Sequence, residues 1–216
     1  MTAGPVGFFG GTYNPIHYGH LRSALELRET LQLAEVRLVP AAQPPHREEP
    51  ALSAQLRAEL VELAVADEPG LYCDKRELER EGPSYTIDSL GELRQELGAA
   101  MPLCLIVGAD AVAGLDSWRR WRELLDFAHL LVIARPGWEM PAAGTVADWL
   151  QEHLTSTAAT LQHNPCGSVM LQELRPLAIS STEIRQLVAA GRSPRYLVPD
   201  VVCERIRELG LYRDGQ

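Results

Sequence analysis

After the apolar run Val6-Gly7-Phe8-Phe9 the chain reads Gly10-Gly11-Thr12-Tyr13-Asn14-Pro15-Ile16-His17-Tyr18-Gly19-His20. The apolar run predicts a buried strand. Glycines at its end allow the positive φ angles and the close approach that let main-chain N–H groups converge on an oxyanion. Beyond Pro15, apolar residues at helical spacing predict an amphipathic helix that starts near residues 18–20.

Two histidines stand at the opening of that predicted helix. His17 and His20 are three residues apart, so their imidazoles share the face where the helix presents unpaired N–H groups and the positive end of its dipole. Taken alone, either histidine would be interpreted as an ordinary core or surface residue. Together with the glycine turn they predict an anion site, such as one for phosphate.

A zinc site is the alternative for this pair, because histidines three apart can share a metal ion. Further ligands are not evident, since the four cysteines show no C-x-x-C spacing. The four cysteines are Cys73, Cys104, Cys166 and Cys203. We expect them to be small buried side chains without a functional role, in a protein of a reducing compartment.

The second motif is Ile179-Ser180-Ser181-Thr182-Glu183-Ile184-Arg185. Ser180 and Glu183 have the spacing of a capping box, which predicts a helix start with the hydroxyls of Ser181 and Thr182 available to oxygens. The alternative is a simple cap followed by a solvated arginine. Combined with the first motif, two helix starts, two imidazoles and the Arg185 guanidinium could hold a triphosphate from both ends.

Alternating strands and helices predict an α/β fold, a Rossmann-like open parallel sheet flanked by helices on both faces, within one domain spanning 1–216. The predicted strands are Val6 to Phe9, Glu35 to Val39, Leu71 to Cys73, Leu103 to Val107, Leu130 to Ala134 and Val169 to Glu173. The predicted helices are Leu21 to Leu31, Leu52 to Ala66, Ile87 to Leu97, Trp118 to Leu125, Val146 to Leu154, Glu183 to Val188 and Val201 to Leu209.

Ligands of such sheets bind beyond the carboxyl ends of the strands, where the strand order reverses. Gly108 and Asp110 follow the predicted strand that ends at Val107. If that strand neighbours the first one, Gly108 lets a nucleotide approach and the Asp110 carboxylate accepts hydrogen bonds from ribose hydroxyls. The alternative for Asp110 is a helix N-cap.

Composition restricts the function classes. The 216 residues carry a net charge of −9, which repels nucleic acid over most of the surface. No apolar run approaches the ~20 residues of a membrane-spanning helix. The N-terminal residues lack the pattern of a secretory signal, so a cytoplasmic protein that binds neither nucleic acid nor membranes is expected.

The first motif resembles the GGTFDPxHxGH signature of the nucleotidyltransferase superfamily, with Tyr13-Asn14 where the signature often has Phe-Asp. The second resembles the ISxTxIR motif at the ATP phosphates of that superfamily. The resemblance implies a nucleotidyltransferase-type fold with His17, His20 and Arg185 as catalytic residues. It also implies an ATP site formed by Gly10, Gly11, Thr12, His20, Gly108, Asp110, Ile179, Ser180, Ser181, Thr182 and Arg185.

The motifs between these two recur in the order seen in the bacterial nicotinate-nucleotide adenylyltransferase family, namely Pro44-Pro45-His46-Arg47, Pro83-Ser84-Tyr85-Thr86, Gly108-Ala109-Asp110, Trp118 and Arg135-Pro136-Gly137. Members of that family join ATP and nicotinate mononucleotide to give deamido-NAD and pyrophosphate. The resemblance implies that the nicotinate mononucleotide contacts are Tyr13, Asn14, His46, Tyr85, Thr86, Trp118, Arg119 and Arg135.

Physical chemistry agrees with several of these roles. An indole such as Trp118 offers a flat face to a cationic pyridinium ring, although a core aromatic is the alternative. Thr86 stands at a helix start where N–H groups could receive a carboxylate. His46 and Arg47 would lie near the substrate phosphate, or they are plain surface charge.

The implied reaction needs no protein nucleophile, because a phosphate monoester is largely dianionic at pH 7 and attacks directly. Mg²⁺ is expected on the ATP phosphates, with no ligand from the protein. Three alternatives stay open: a nucleotide-binding regulator without turnover, an adenylyltransferase that prefers nicotinamide mononucleotide, and a synthetase-like enzyme.

Overall fold

A computed structural model describes residues 4–44, 50–175 and 177–213. Six strands alternate with helices, as the hydrophobic pattern predicts. The strands are β1 (Val6–Gly11), β2 (Glu35–Pro40), β3 (Leu71–Cys73), β4 (Leu103–Gly108), β5 (His129–Ala134) and β6 (Val169–Glu173). The helices are α1 (Tyr18–Thr30), α2 (Ala54–Val65), α3 (Thr86–Leu97), α4 (Ala109–Val112), α5 (Leu124–Phe127), α6 (Thr145–Glu152), α7 (Ala158–His163), α8 (Ser181–Ala189) and α9 (Asp200–Glu208).

The strands form one sheet in the order β3-β2-β1-β4-β5-β6. β1 pairs in parallel with β4 from Val6 opposite Leu103 to Phe9 opposite Ile106, and β5 and β6 continue the parallel pairing. The strand order therefore reverses between β1 and β4, which is where the sequence predicts the switch point. The α/β, Rossmann-like parallel fold is confirmed.

One predicted helix is wrong. Residues 118–120 are not helical, and Arg120 adopts a left-handed φ of 52° that interrupts the pattern. A 3-10 turn over Trp121–Glu123 follows, and the α-helix itself is only Leu124–Phe127. Trp121 packs edge-on against Trp149 with ring centroids 5.1 Å apart, so tertiary packing rather than helical period sets the spacing of apolar residues here.

The strands β4 and β5 are apolar apart from His129 at the start of β5. Every residue of β5 is buried, and so is β4 up to Val107, as expected for parallel strands covered on both faces. No helix in the described ranges has both the length and the apolar character that crossing a membrane requires.

The chain divides into two compact units that interleave along the sequence. Unit 1 comprises residues 1–10, 26–37 and 85–175, and unit 2 comprises residues 11–25, 38–84 and 176–216. Neither unit is a continuous segment, so the division does not correspond to two consecutive domains. The expectation of one domain over 1–216 stays a prediction.

Within unit 1, a partly buried arginine fixes the segments around β4. Arg94 on α3 donates to the carbonyl of Phe127, and to those of Gly98 at 3.1 Å and Pro165 at 2.9 Å. Burial lowers the pKa of this guanidinium, but the carbonyls around it accept its N–H groups. Arg94 thus holds three main-chain segments of unit 1 together.

Candidate active site

The loop between β1 and α1, residues 12–17, is here called the histidine loop. The glycines before it serve a purpose that the sequence did not indicate. Neither Gly10 nor Gly11 has a positive φ, which corrects the expectation of a strained glycine turn. A Cβ on Gly11 would instead lie 2.9 Å from Cζ of Tyr13, so glycine is needed there because the Tyr13 ring packs over it.

His17 and His20 are brought together. Their rings stack with centroids 3.7 Å apart, and the Tyr13 ring meets His20 edge-on at 5.0 Å. His17 is 5 % exposed, and its buried Nδ1 has no hydrogen-bond partner among the described residues. Burial lowers the pKa of His17 to about 4, so its imidazole is neutral at pH 7.

The first amides of α1 are less available than expected. The Tyr18 N–H donates to the carbonyl of Leu197 at 3.0 Å, and the His20 N–H donates to that of His17 at 3.0 Å. These two amides are therefore not free to serve the predicted anion site, and the dipole of α1 and the two imidazoles remain as its candidate groups on this side.

The second motif lies against the histidine loop within unit 2. Ser181 Oγ donates to the carbonyl of Pro15 at 2.8 Å, and Arg185 Nη1 donates to that of Asn14 at 2.8 Å. The predicted helix start is confirmed, because Ser180 is the N-cap of α8 and its Oγ accepts from the Glu183 N–H at 3.1 Å. Two motifs more than 160 positions apart thus form one polar cluster.

The contacts of this cluster correct one expectation. The Ser181 hydroxyl donates to the Pro15 carbonyl instead of being available to a ligand. Thr182 Oγ1 accepts from Arg185 Nη2 at 3.3 Å and keeps its own O–H as a donor. A guanidinium has five N–H donors, so Arg185 keeps donors for an anion after these two bonds. Ile179 precedes the cap, and its N–H donates to the carbonyl of Leu177.

The side chains of Tyr13 and Asn14 are buried and support the histidine loop. Tyr13 is 2 % exposed, so any contact with a ligand would have to come from its main chain. The buried Asn14 accepts at Oδ1 from the Tyr212 hydroxyl at 2.7 Å. Burial raises the pKa of Tyr212, which keeps that hydroxyl protonated and able to donate.

Part of the predicted nicotinate mononucleotide and ribose set lies in unit 1, in two small surface clusters formed by Tyr85, Thr86 and Arg119 and by Asp110 and Arg135. The Arg119 guanidinium lies 4.8 Å from the Tyr85 ring centroid and 3.7 Å from the Asp88 carboxylate, next to Thr86 at the start of α3. Arg135 pairs with Asp110 at 3.4 Å, and these side chains are 69 % and 85 % exposed.

Three further residues complete the predicted set. The N-cap of α4 is Gly108 and not Asp110. A Cβ on Gly108 would meet no described atom within 4 Å, so packing does not require glycine at this position. Trp118 is half-buried, whereas Trp121 and Trp149 are the buried indoles of this region. His46 and its neighbour Arg47 lie outside the described residues.

Comparisons with known proteins decide the family. A family model described as cytidylyltransferase-like matches residues 8–187. A relative from Aeromonas salmonicida, named "Probable nicotinate-nucleotide adenylyltransferase", is 47% identical over 99% of this chain and 99% of its own length. A relative of the same name from Cellvibrio japonicus is 50% identical over 96% of this chain and 98% of its own. The chain belongs to the nicotinate-nucleotide adenylyltransferases of the cytidylyltransferase-like family.

A solved structure supports the fold of this adenylyltransferase. The Plasmodium falciparum nicotinic acid mononucleotide adenylyltransferase complexed with NaAD has a TM-score of 0.73, with 97% of each chain covered and 15% sequence identity. At that identity the likeness concerns the fold alone. It agrees with the α/β nucleotidyltransferase fold expected from the sequence.

Several residues that contact the candidate site residues were not predicted from the sequence. A Cβ on Gly19 would lie 2.9 Å from Nδ1 of His17, so the glycine between the two histidines makes room for the first imidazole. Arg57, on α2, donates to the carbonyl of Thr12, and Tyr212 bonds to Asn14. The sequence does mark Arg57, because it stands four residues before Val61 and eight before Val65. This spacing places its charge on the apolar, buried face of the helix, where an arginine is unusual.

Proposed function

We propose that this protein transfers the AMP group of ATP to nicotinate mononucleotide, giving deamido-NAD and pyrophosphate in NAD biosynthesis. The observation that carries the proposal is the direct bonding of the histidine loop to the start of α8 by Ser181 and Arg185. This arrangement groups two imidazoles, a guanidinium and a capped helix start at one place. The names of the relatives supply the substrate class.

In the proposed reaction a phosphate oxygen of nicotinate mononucleotide attacks the α-phosphorus of ATP in line with the bond to the β-phosphate. The new O–P bond forms as the bond to the bridging oxygen breaks, and the electron pair leaves with pyrophosphate. The attacking dianion needs no general base at pH 7. The protein therefore acts by positioning two anions and by stabilising charge in the transition state.

His17, His20 and Arg185 are the residues that we assign to charge stabilisation. The neutral His17 imidazole is buried beside His20, so its N–H can donate to a phosphate oxygen without the repulsion that two adjacent imidazolium ions would suffer. Arg185 carries the permanent positive charge. Gly10, Gly11, Thr12, Ile179, Ser180 and Thr182 are proposed to line the ATP phosphates.

A divalent metal is proposed to accompany ATP. Within the described residues no group of three or more His, Cys, Asp or Glu side chains could hold a metal ion. Mg²⁺ would therefore be held by phosphate oxygens and water, and would neutralise part of the triphosphate charge. Activity should vanish with EDTA and return when Mg²⁺ is added.

The nicotinate mononucleotide and ribose contacts are the remaining part of the proposal. Thr86 at the start of the 12-residue helix α3 offers main-chain N–H groups to the nicotinate carboxylate, and Arg119 lies beside it over Tyr85. Trp118 is proposed to stack on the pyridinium ring. Asp110 is proposed to accept from the ribose hydroxyls. A reducing, cytoplasmic setting is proposed as well, supported by four unpaired thiols.

A competition assay tests the function. The full chain is supplied with ATP, Mg²⁺ and equal concentrations of nicotinate and nicotinamide mononucleotides, and pyrophosphate and both dinucleotides are followed. Deamido-NAD as the main product is expected. Equal use of both substrates would overturn the acid preference but not the reaction class. ATP binding without pyrophosphate release would favour a regulator and overturn the proposal.

A further inference from the structure

A fully buried arginine holds the start of the histidine loop. Arg57 is 1 % exposed, and its guanidinium donates to three separate stretches of main chain. Nη1 donates to the carbonyl of Thr12 at 2.6 Å, Nη2 to that of Ala41 at 2.6 Å and Nε to that of Leu52 at 3.2 Å. No ligand can reach a side chain so enclosed, so Arg57 can act only through the segments it holds.

The segment 41–43 is fixed from its other side by Ser84. The buried Ser84 hydroxyl accepts from the N–H groups of Ala42 at 2.9 Å and Gln43 at 3.1 Å, and the Ser84 N–H donates to the Gln43 carbonyl. The Ala41 N–H in turn donates to the carbonyl of Gly11 at 2.9 Å. Residues 41–43 are thereby held against the end of β1.

We infer that Arg57 and Ser84 are positioning residues for the adenylyl transfer, an inference that rests on the proposed function. Arg57 holds the first residue of the histidine loop directly, and Ser84 holds the segment that braces the same point. Arg185, Tyr212 and Ser181 hold the middle of the loop. The stacked imidazoles depend on the first anchor as much as on the others, because Tyr13, which packs on His20, directly follows Thr12.

Arg57→Lys is the informative variant, because a lysine keeps the charge but lacks the fork that reaches several carbonyls at once. We expect kcat to fall roughly 10-fold or more, with KM for ATP within about threefold of wild type, since misplaced donors weaken the transition state more than ground-state binding. Arg94→Lys is the matched control. This variant also replaces a guanidinium that bonds to several main-chain carbonyls. Its thermal midpoint should therefore fall by a similar amount, while its kcat stays within about twofold of wild type.

Hydrogen exchange gives a readout that does not depend on activity. The peptide covering residues 12–21 should exchange faster in Arg57→Lys, including the Tyr18 N–H that bonds to Leu197, and should be unchanged in Arg94→Lys. Wild-type kcat and exchange in Arg57→Lys would overturn the inference. So would an equal loss of kcat in both arginine variants, because that would report general destabilisation.

Ser84→Ala keeps the inference testable if Arg57→Lys does not fold. This variant removes the hydroxyl that accepts from the N–H groups of Ala42 and Gln43. We therefore expect kcat to fall by about threefold and hydrogen exchange to be faster in residues 12–21. Wild-type values for both would then overturn the inference. If the wild-type protein releases no pyrophosphate, the proposed function fails by itself, and the exchange comparison still decides whether Arg57 positions the loop.

Discussion

The histidine loop and the surface clusters of unit 1 are built in opposite ways. In the loop, His17 and Asn14 are buried, and the carbonyls of three of its six residues accept from side chains of distant elements. In unit 1, Asp110 and Arg135 face solvent and meet at 3.4 Å, the geometry of a weak surface ion pair. The loop is held by hydrogen bonds from distant parts of the chain, whereas the side chains of the Asp110–Arg135 pair are mostly exposed to solvent. The difference suggests that turnover depends on the first region and substrate affinity on the second.

The largest effect is expected at His20, in the first turn of α1 where it packs against Tyr13 of the histidine loop. His20→Ala should lower kcat by roughly 100-fold or more, because it removes a donor aimed at developing phosphate charge. The thermal midpoint should change little compared with that loss. His163→Ala is a control on an exposed histidine of unit 1 and should leave kcat unchanged. Wild-type turnover in His20→Ala would remove this residue from the mechanism.

The buried imidazole should also make stability depend on pH. The pKa of His17 is about 4 in the folded protein, against 6.5 for a solvated histidine. Its contribution to the free energy of unfolding is therefore fully present above pH 6.5 and is lost as the pH falls toward 4. At pH 5 the free energy of unfolding should be lower by about 2 kcal/mol. Urea midpoints at pH 7 and pH 5 measure it.

His17→Asn should flatten most of that dependence. The buried His129, whose pKa burial also lowers, would leave a smaller decline of the same sign. An unchanged pH dependence in the variant would show that His17 is not the group that resists protonation.

A smaller effect is expected from Arg185, which belongs to the loop cluster but is partly exposed. Arg185→Lys keeps a positive charge but cannot bond to Asn14, Thr182 and a phosphate together, so kcat should fall about tenfold. Arg192→Lys, a few residues further along the chain and exposed, is the control. Equal kinetics in both variants would contradict the role of the guanidinium.

The smallest effect is expected at the exposed pair. Arg135→Ala should raise the KM for nicotinate mononucleotide by about three- to fivefold and leave kcat within about twofold of wild type. Steady-state kinetics at saturating ATP measure both constants. A large loss of kcat would contradict the distinction between the two regions, because it would mean that the exposed pair contributes to the transition state.

The sequence predicts what local rules control. Apolar runs locate all six strands to within two residues of their observed bounds, and the capping box locates the start of α8. The predicted helix over residues 118–125 fails because Arg120 takes a left-handed conformation just before Trp121, which packs against Trp149 in the core. Local pattern cannot distinguish a helical face from apolar residues placed by tertiary packing.

The site was predicted less completely than the fold. The two motifs are recognisable, but the reason for Gly11 depends on where the Tyr13 ring lies, and the role of Ser181 depends on a carbonyl 166 positions away. The sequence marks Arg57 only as a charge on the apolar face of a helix and does not mark Tyr212, and only the folded chain gives these two residues their partners. These are tertiary hydrogen bonds, which no periodicity encodes.

The bonds on Asn14 have a consequence for how the molecule is made in the cell. Asn14 meets Arg185 and Tyr212, which follow it by 171 and 198 positions. A nascent chain emerging from the ribosome exposes the histidines long before Arg185 and Tyr212 are synthesised. The loop can therefore reach its bonded arrangement only after residue 212 has emerged, and a product terminated before that residue would lack this support.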